Sequence, residues 1–279
     1  MGWKCAADFL PMQPCRPCRL PAAGGVEAER SNLSKIMNGA SLQPRSGGAP
    51  KNIVLLLHGF GSSGADMISL APQWQEALPD TLFLAPHAPQ RCSMMGAGYQ
   101  WWGLSGFAPA ALAAGAASAA PAIDTFIDRK LTQYGLSESD LALVGFSQGT
   151  IMALQIGLRR RRAVAAIVGY SGMLAGAADL AHHIPSKPPV LLVHGTADPV
   201  VPIAALHMSE SQLQRLGVEV ETHISYGVGH SVDPVGLRTG RDFVVGAFGK
   251  YSGLEVDVAS ASRRGGGGGR NGVARRERG

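Results

Sequence analysis

A serine, an aspartate and a histidine each stand where a strand-like run of this chain ends, and the three residue types together are suited to nucleophilic chemistry on a carbonyl carbon. Ser147 is the centre of Gly145-Phe146-Ser147-Gln148-Gly149. The apolar run Asp140 to Val144 precedes it and a helical pattern follows. The chain must leave a strand and enter a helix within about one residue, which forces Ser147 into a strained backbone conformation and lifts its hydroxyl above the sheet edge. Gly145 and Gly149 supply the small neighbours that let strand and helix approach. The peptide N–H of Gln148, at the start of the new helix, then points to where an oxyanion would form, and the helix dipole favours negative charge there. G-x-S-x-G alone is a common string. The assignment needs a base, an orienting acid and a second oxyanion donor from elsewhere in the chain.

All three have candidates at strand ends. The run Val190 to Val193 leads into His194-Gly195-Thr196-Ala197-Asp198-Pro199, and the run Val218 to Ile224 leads into a Gly-flanked loop holding His230. His230 would take the proton of Ser147 and return it to the leaving group, while Asp198 would hold the imidazole tautomer and stabilise the imidazolium. His194, one residue before a glycine, reads as packed rather than catalytic. The second oxyanion donor falls in Leu57-His58-Gly59-Phe60-Gly61, where an apolar strand runs into H-G-x-G. The N–H of Phe60 is the natural donor, and His58 reads as a brace of its loop.

The elements that must position these residues alternate. Strand patterns at 52–57, 81–85, 140–144, 164–168, 190–193 and 218–224 are separated by helical patterns at 66–77, 109–134, 150–162, 203–216 and 235–248. The 109–134 pattern is interrupted at Gly115 and Pro121. Alternation predicts an α/β fold with a mostly parallel central sheet and helices on both faces, with ligands at the C-terminal ends of the strands. The loop from Pro86 to Phe107, with Trp101 and Trp102, is long enough to suggest a functional role.

Charge excludes one class of partner. The net charge is +5, but residues 1–36 carry +2, residues 259–279 carry +5, and the intervening stretch carries −2. The basic character lies in the ends, so the folded part has no electrostatic support for binding nucleic acid. Residues 1–36 lack periodicity and are expected to be a disordered leader, 37–258 the folded domain, and the Gly/Arg-rich 259–279 a disordered tail. No run of about 18 apolar residues free of charges and breakers is evident, so no stable membrane anchor is expected. Cys15-Arg-Pro-Cys18 has no second ligand pair, so no metal site is expected, and the four cysteines suit a reducing cytoplasm.

The H-G-F-G at 58–61, APHAP at 85–89, Q-W-W at 100–102, GFSQG at 145–149, HGTADPVVP at 194–202 and Gly229-His230 occur in that order. They resemble the phospholipase/carboxylesterase family of α/β-hydrolases, which includes bacterial carboxylesterases and acyl-protein thioesterases. The resemblance implies the α/β-hydrolase fold, a triad of Ser147, Asp198 and His230, and oxyanion donors at Phe60 and Gln148. It implies a cofactor-free serine carboxylesterase acting on a small-molecule acyl ester or thioester. Thioesterase or lysophospholipase activity is the alternative, and a catalytically silent binding module on the same fold is the reading from another class. Trp101 and Trp102 are expected to line the acyl site. The choice between a monomer and a homodimer is left open.

Overall fold

The computed structural model describes residues 37–92, 98–104, 106, 108–182 and 184–262, with the backbone alone for 182 and 251–262. The expected leader and residues 263–279 of the expected tail lie outside the described residues.

Seven strands form the central sheet: β1 (Gly39–Leu42), β2 (Asn52–Leu57), β3 (Thr81–Pro86), β6 (Leu141–Phe146), β7 (Ala166–Tyr170), β8 (Val190–Gly195) and β9 (Val220–Ser225). Their order is β1-β3-β2-β6-β7-β8-β9. All neighbours are parallel except β1, which runs antiparallel to β3. This is the mostly parallel sheet that the alternation predicts. β1 was not expected, because its sequence GASL holds no apolar run. In the long loop, β4 (Gln90–Arg91) and β5 (Tyr99–Gln100) form a small antiparallel ribbon.

The sheet is covered on both faces because its inner strands are apolar on both sides. Along β2, Ile53, Leu55 and Leu57 enter one core, while Val54 and Leu56 enter the other. The first core is closed mainly by α3 (Pro109–Tyr134), α4 (Gln148–Gly157) and α6 (Ala204–Arg215). The second is closed by α1 (Gly64–Ile68), α2 (Pro72–Gln75) and α7 (Pro234–Ser262). The short α5 (Ala177–His182) adds Leu180 to the first core.

Several helices differ from expectation for physical reasons. The 66–77 pattern is two helices, α1 and α2. Pro72 cannot donate an N–H to continue the first, and it instead opens the second. α3 is continuous through Gly115 and Pro121 and ends at Gly135, whose φ of 68° closes the helix. Read as one helix across Gly115 and Pro121, α3 is long and apolar enough to cross a membrane by length and composition alone, a test that the core helix of a soluble protein also passes. In the fold, its stripe of Leu112, Ala116, Ala119, Ile123, Ile127 and Leu131 packs into the first core. α4 ends at Gly157, before the four arginines at 159–162. Arg160 among them is nearly buried and bonds Asp124 and Asp128 of α3 and Glu138. α7 continues to Ser262, past the expected boundary at 258.

Candidate active site

Ser147 occupies the one-residue turn between β6 and α4, with φ 54° and ψ −115°. The crossing is as tight as the glycines suggest. A Cβ on Gly145 would fall 2.3 Å from the Gly149 carbonyl oxygen, and one on Gly149 would fall 1.9 Å from that of Leu57. The Ser147 N–H donates to the Tyr170 carbonyl at the end of β7 (2.9 Å). The Thr150 hydroxyl lies 2.8 Å from the same carbonyl, tying the helix start to the neighbouring strand.

His230 and Asp198 meet Ser147 from the loops after β9 and β8. His230 Nε2 lies 3.0 Å from Ser147 Oγ, and His230 Nδ1 lies 2.7 Å from Asp198 Oδ2. The second oxygen of Asp198 accepts the N–H groups of Val200 (2.8 Å) and Val201 (2.9 Å). Burial pushes the Asp198 carboxyl up. The His230 bond, the Val201 and Val200 N–H groups and the imidazole charge outweigh it, and hold the carboxyl below its ordinary value. An ionised Asp198 makes Nδ1 the protonated nitrogen of a neutral His230 and leaves Nε2 to accept a proton from Ser147.

Two further residues hold this pair in place. His194 is buried; its Nε2 donates to the Val201 carbonyl (2.7 Å) and lies 3.4 Å from Asp198 Oδ2. It packs, as its position suggested, but against the acid itself. Asp233 accepts the Ser225 hydroxyl (2.6 Å) and the N–H groups of Val235 (3.0 Å) and Gly236 (3.3 Å). It thereby pins the His230 loop between the end of β9 and the start of α7. Sequence reading passed over Asp233 because it follows no strand directly.

The loop after β2 runs beside the serine: a Cβ on Gly59 would lie 3.3 Å from Ser147 Cβ. The Phe60 N–H meets no acceptor among the described residues. His58 is fully buried. Its Nδ1 donates to the Gly59 carbonyl (2.8 Å) and its Nε2 accepts the Ala88 N–H (3.0 Å). Burial lowers its pKa, which keeps the ring neutral and consistent with that bonding. His58 is therefore a loop brace.

A small, mostly apolar pocket opens beside Ser147, walled by Leu104, Leu112, Ile151, Met173 and Val201. Trp101 and Trp102, expected at the acyl site, are not among its lining residues. Trp101 is buried, with its Nε1 donating to the His58 carbonyl (2.9 Å) and its ring stacked on that of His58. Trp102 presses on α3 at Gly115, where a Cβ would come within 2.2 Å of the indole. That contact is what requires glycine there. The Gln148 side chain also has a part that the sequence did not reveal: its Oε1 accepts the Trp101 N–H (3.0 Å) and its Nε2 donates to the Trp102 carbonyl (2.9 Å).

No group of three or more His, Cys, Asp or Glu that could hold a metal ion occurs among the described residues. One polar atom near the site stands out. Ser171, just past β7, has φ 47°, and its buried hydroxyl has no hydrogen-bond partner among the described residues. A rule that inspects strand ends would have found it, had the strand been read to Tyr170 rather than to Val168.

The sheet order and the strand-to-helix turn at Ser147 define an α/β-hydrolase fold with its chemistry-bearing residues at the C-terminal strand ends. The chain belongs to the phospholipase/carboxylesterase family, which it matches over residues 43–245, and this makes it a hydrolase of the esterase/thioesterase kind. It is similar to the acyl-protein thioesterase 1 of Emericella nidulans, 29% identical over 205 residues that cover 66% of this chain and 85% of that one. It is 25% identical to the esterase YpfH of Escherichia coli, over 66% of this chain and 77% of the relative. Among solved structures, esterase PE8 is 42% identical with a TM-score of 0.71, covering 75% of this chain and 97% of PE8.

Proposed function

We propose that the chain is a cytoplasmic serine carboxylesterase that cleaves small acyl esters through an acyl-enzyme. The observation that carries this reading is the continuous line from Ser147 Oγ through His230 to Asp198, at 3.0 and 2.7 Å. His230 Nε2 takes the Ser147 proton as Oγ attacks the acyl carbonyl carbon. The resulting oxyanion accepts the N–H groups of Phe60 and Gln148. The tetrahedral species collapses, the carbonyl reforms, and the leaving alcohol departs with the proton from His230. Water then repeats the sequence, giving up a proton to His230 and releasing the acid and free Ser147. The acyl chain occupies the pocket beside Leu112 and Ile151. No step calls on a cofactor.

A thioester passes through the same acyl-enzyme, with a thiol as leaving group. The relative named acyl-protein thioesterase 1 favours keeping that substrate class in view. The test is labelling by a fluorophosphonate probe together with turnover of p-nitrophenyl esters and acyl thioesters. Wild type is expected to label and turn over. Ser147→Ala is expected to lose labelling and about 10⁴- to 10⁶-fold in kcat while staying folded. A wild-type protein that neither labels nor turns over would support a silent binding module instead.

A further inference from the structure

We infer that Trp101 is a positioning residue that sets the spacing of the two oxyanion donors; this rests on the functional reading above. Phe60 and Gln148 come from separate segments, the loop after β2 and the start of α4, yet their N–H groups must converge on one oxygen. Trp101 joins the two segments directly. Its indole Nε1 donates to the His58 carbonyl in the first (2.9 Å), and its backbone N–H donates to the Gln148 side chain in the second (3.0 Å). Gln148 returns a bond to the Trp102 carbonyl (2.9 Å), so the brace grips the α4 end twice.

The link reaches the donor itself. The Trp101 ring stacks on the His58 ring, at 5.2 Å between centroids and an interplanar angle of 30°. His58 in turn bonds the Gly59 carbonyl (2.8 Å). That carbonyl and the Phe60 N–H belong to one planar peptide unit, so holding the first aims the second. Tyr99, two residues before Trp101, adds to the brace. Tyr99 accepts the Gly61 N–H (2.9 Å) and donates its own N–H to the Ser62 carbonyl (2.8 Å). Trp101 and the Gln148 side chain are buried, where hydrogen bonds face little competition from water and direction matters most. A tryptophan that merely filled space would not need its indole N–H committed to the oxyanion loop and its backbone N–H committed to the elbow.

A misaimed donor weakens binding of the oxyanion but not of the neutral ester, so the defect must appear in kcat and spare KM. Trp101→Phe keeps an aromatic ring against His58 and deletes only the indole N–H. Gln148→Met deletes the side-chain grip on the other end and keeps the backbone donor, and it stands as the second variant should Trp101→Phe fold poorly. For each we expect a fall of about 10- to 100-fold in kcat, with KM within about threefold. Affinity for an alkyl boronic acid, whose tetrahedral adduct places an oxygen at the same donors, should fall by the same factor as kcat/KM. Unchanged kcat in both variants would overturn the inference. So would a lowered kcat with unchanged boronic acid affinity, because the brace would then be serving stability alone. A wild-type protein that fails to label with the fluorophosphonate would overturn the functional reading, and the inference with it. Normal wild-type labelling with fully active variants overturns the inference only.

Discussion

Ser147 and Ser171 end neighbouring parallel strands, and both hold left-handed backbone conformations, at φ 54° and 47°. Their strands are in register, with Phe146 opposite Tyr170. The strain at Ser147 has a use, since it presents the hydroxyl to His230. The strain at Ser171 coincides with a buried hydroxyl that has no partner among the described residues.

Ser171→Gly should therefore stabilise the protein. It removes the left-handed penalty of a side chain and an unsatisfied buried hydroxyl, offset in part by the added freedom of glycine in the unfolded chain. A net gain of about 1 kcal/mol is expected, or about 2 to 4 °C in Tm. Calorimetry of the two proteins decides it. A lowered Tm, or an unchanged Tm with lost activity, would mean that the hydroxyl is engaged in the site rather than stranded.

Arg160 offers a stability test remote from the chemistry. Its guanidinium bonds Asp124, Asp128 and Glu138, and its own side chain is only 10% exposed. Removing it leaves three carboxylates facing one another, among them Asp124, whose carboxyl burial already raises. Arg160→Ala should cost about 2 kcal/mol, short of a fully buried pair because Asp124 and Asp128 are partly solvated. Arg160→Lys should rescue little, since one ammonium cannot reproduce the fork. Denaturant melts and ester turnover should show lower stability with kcat unchanged. Full rescue by lysine would reduce the cluster to simple charge balance.

How much of this was legible in the sequence depends on what each residue does. Ser147, Asp198 and His230 could be placed together because each follows an apolar run and sits among glycines or prolines, a pattern that survives without knowledge of packing. Trp101 and Trp102 could not be placed, because a buried aromatic beside a site has the same pattern whether it walls a pocket or braces a loop. Leu112 and Ile151 were invisible for the opposite reason: they share helical stripes with ordinary core residues. The continuity of α3 was missed because Gly115 and Pro121 read as breakers, whereas a helix rich in alanine and buried along one stripe tolerates both.

Stability should fall with acidity in two stages. His58 has a folded pKa below its unfolded value, so its neutral form contributes fully above about pH 6.5, and that contribution is lost as pH falls toward the folded value. Asp198 and Asp233 are also depressed, so they contribute above about pH 3.9 and lose it only below that point. Melting temperature measured from about pH 7.5 to 3 should show a decline setting in near 6.5 and a steeper one below about 4. In His58→Gln the upper decline should flatten while the lower remains. An unchanged upper slope in that variant would remove His58 as its source.

The pocket walls give the last prediction. Leu104, Leu112, Ile151, Met173 and Val201 are apolar and Ser147 stands at their edge, so acyl chains should be favoured carbon by carbon until they meet the walls. Each accommodated methylene should contribute up to about 0.8 kcal/mol, or roughly fourfold in kcat/KM. Leu112 projects from the buried stripe of α3, so Leu112→Ala should lengthen the preferred acyl chain, at a stability cost of about 2 to 5 kcal/mol. Trp102→Ala should cost about 3 to 5 kcal/mol and leave the preferred length where it is, because its ring packs on Gly115 outside the pocket. The measurement is kcat/KM for p-nitrophenyl esters from acetate upward, in wild type and both variants. A profile that shifts in Trp102→Ala and not in Leu112→Ala would return the tryptophan to the acyl site and take the leucine out of it.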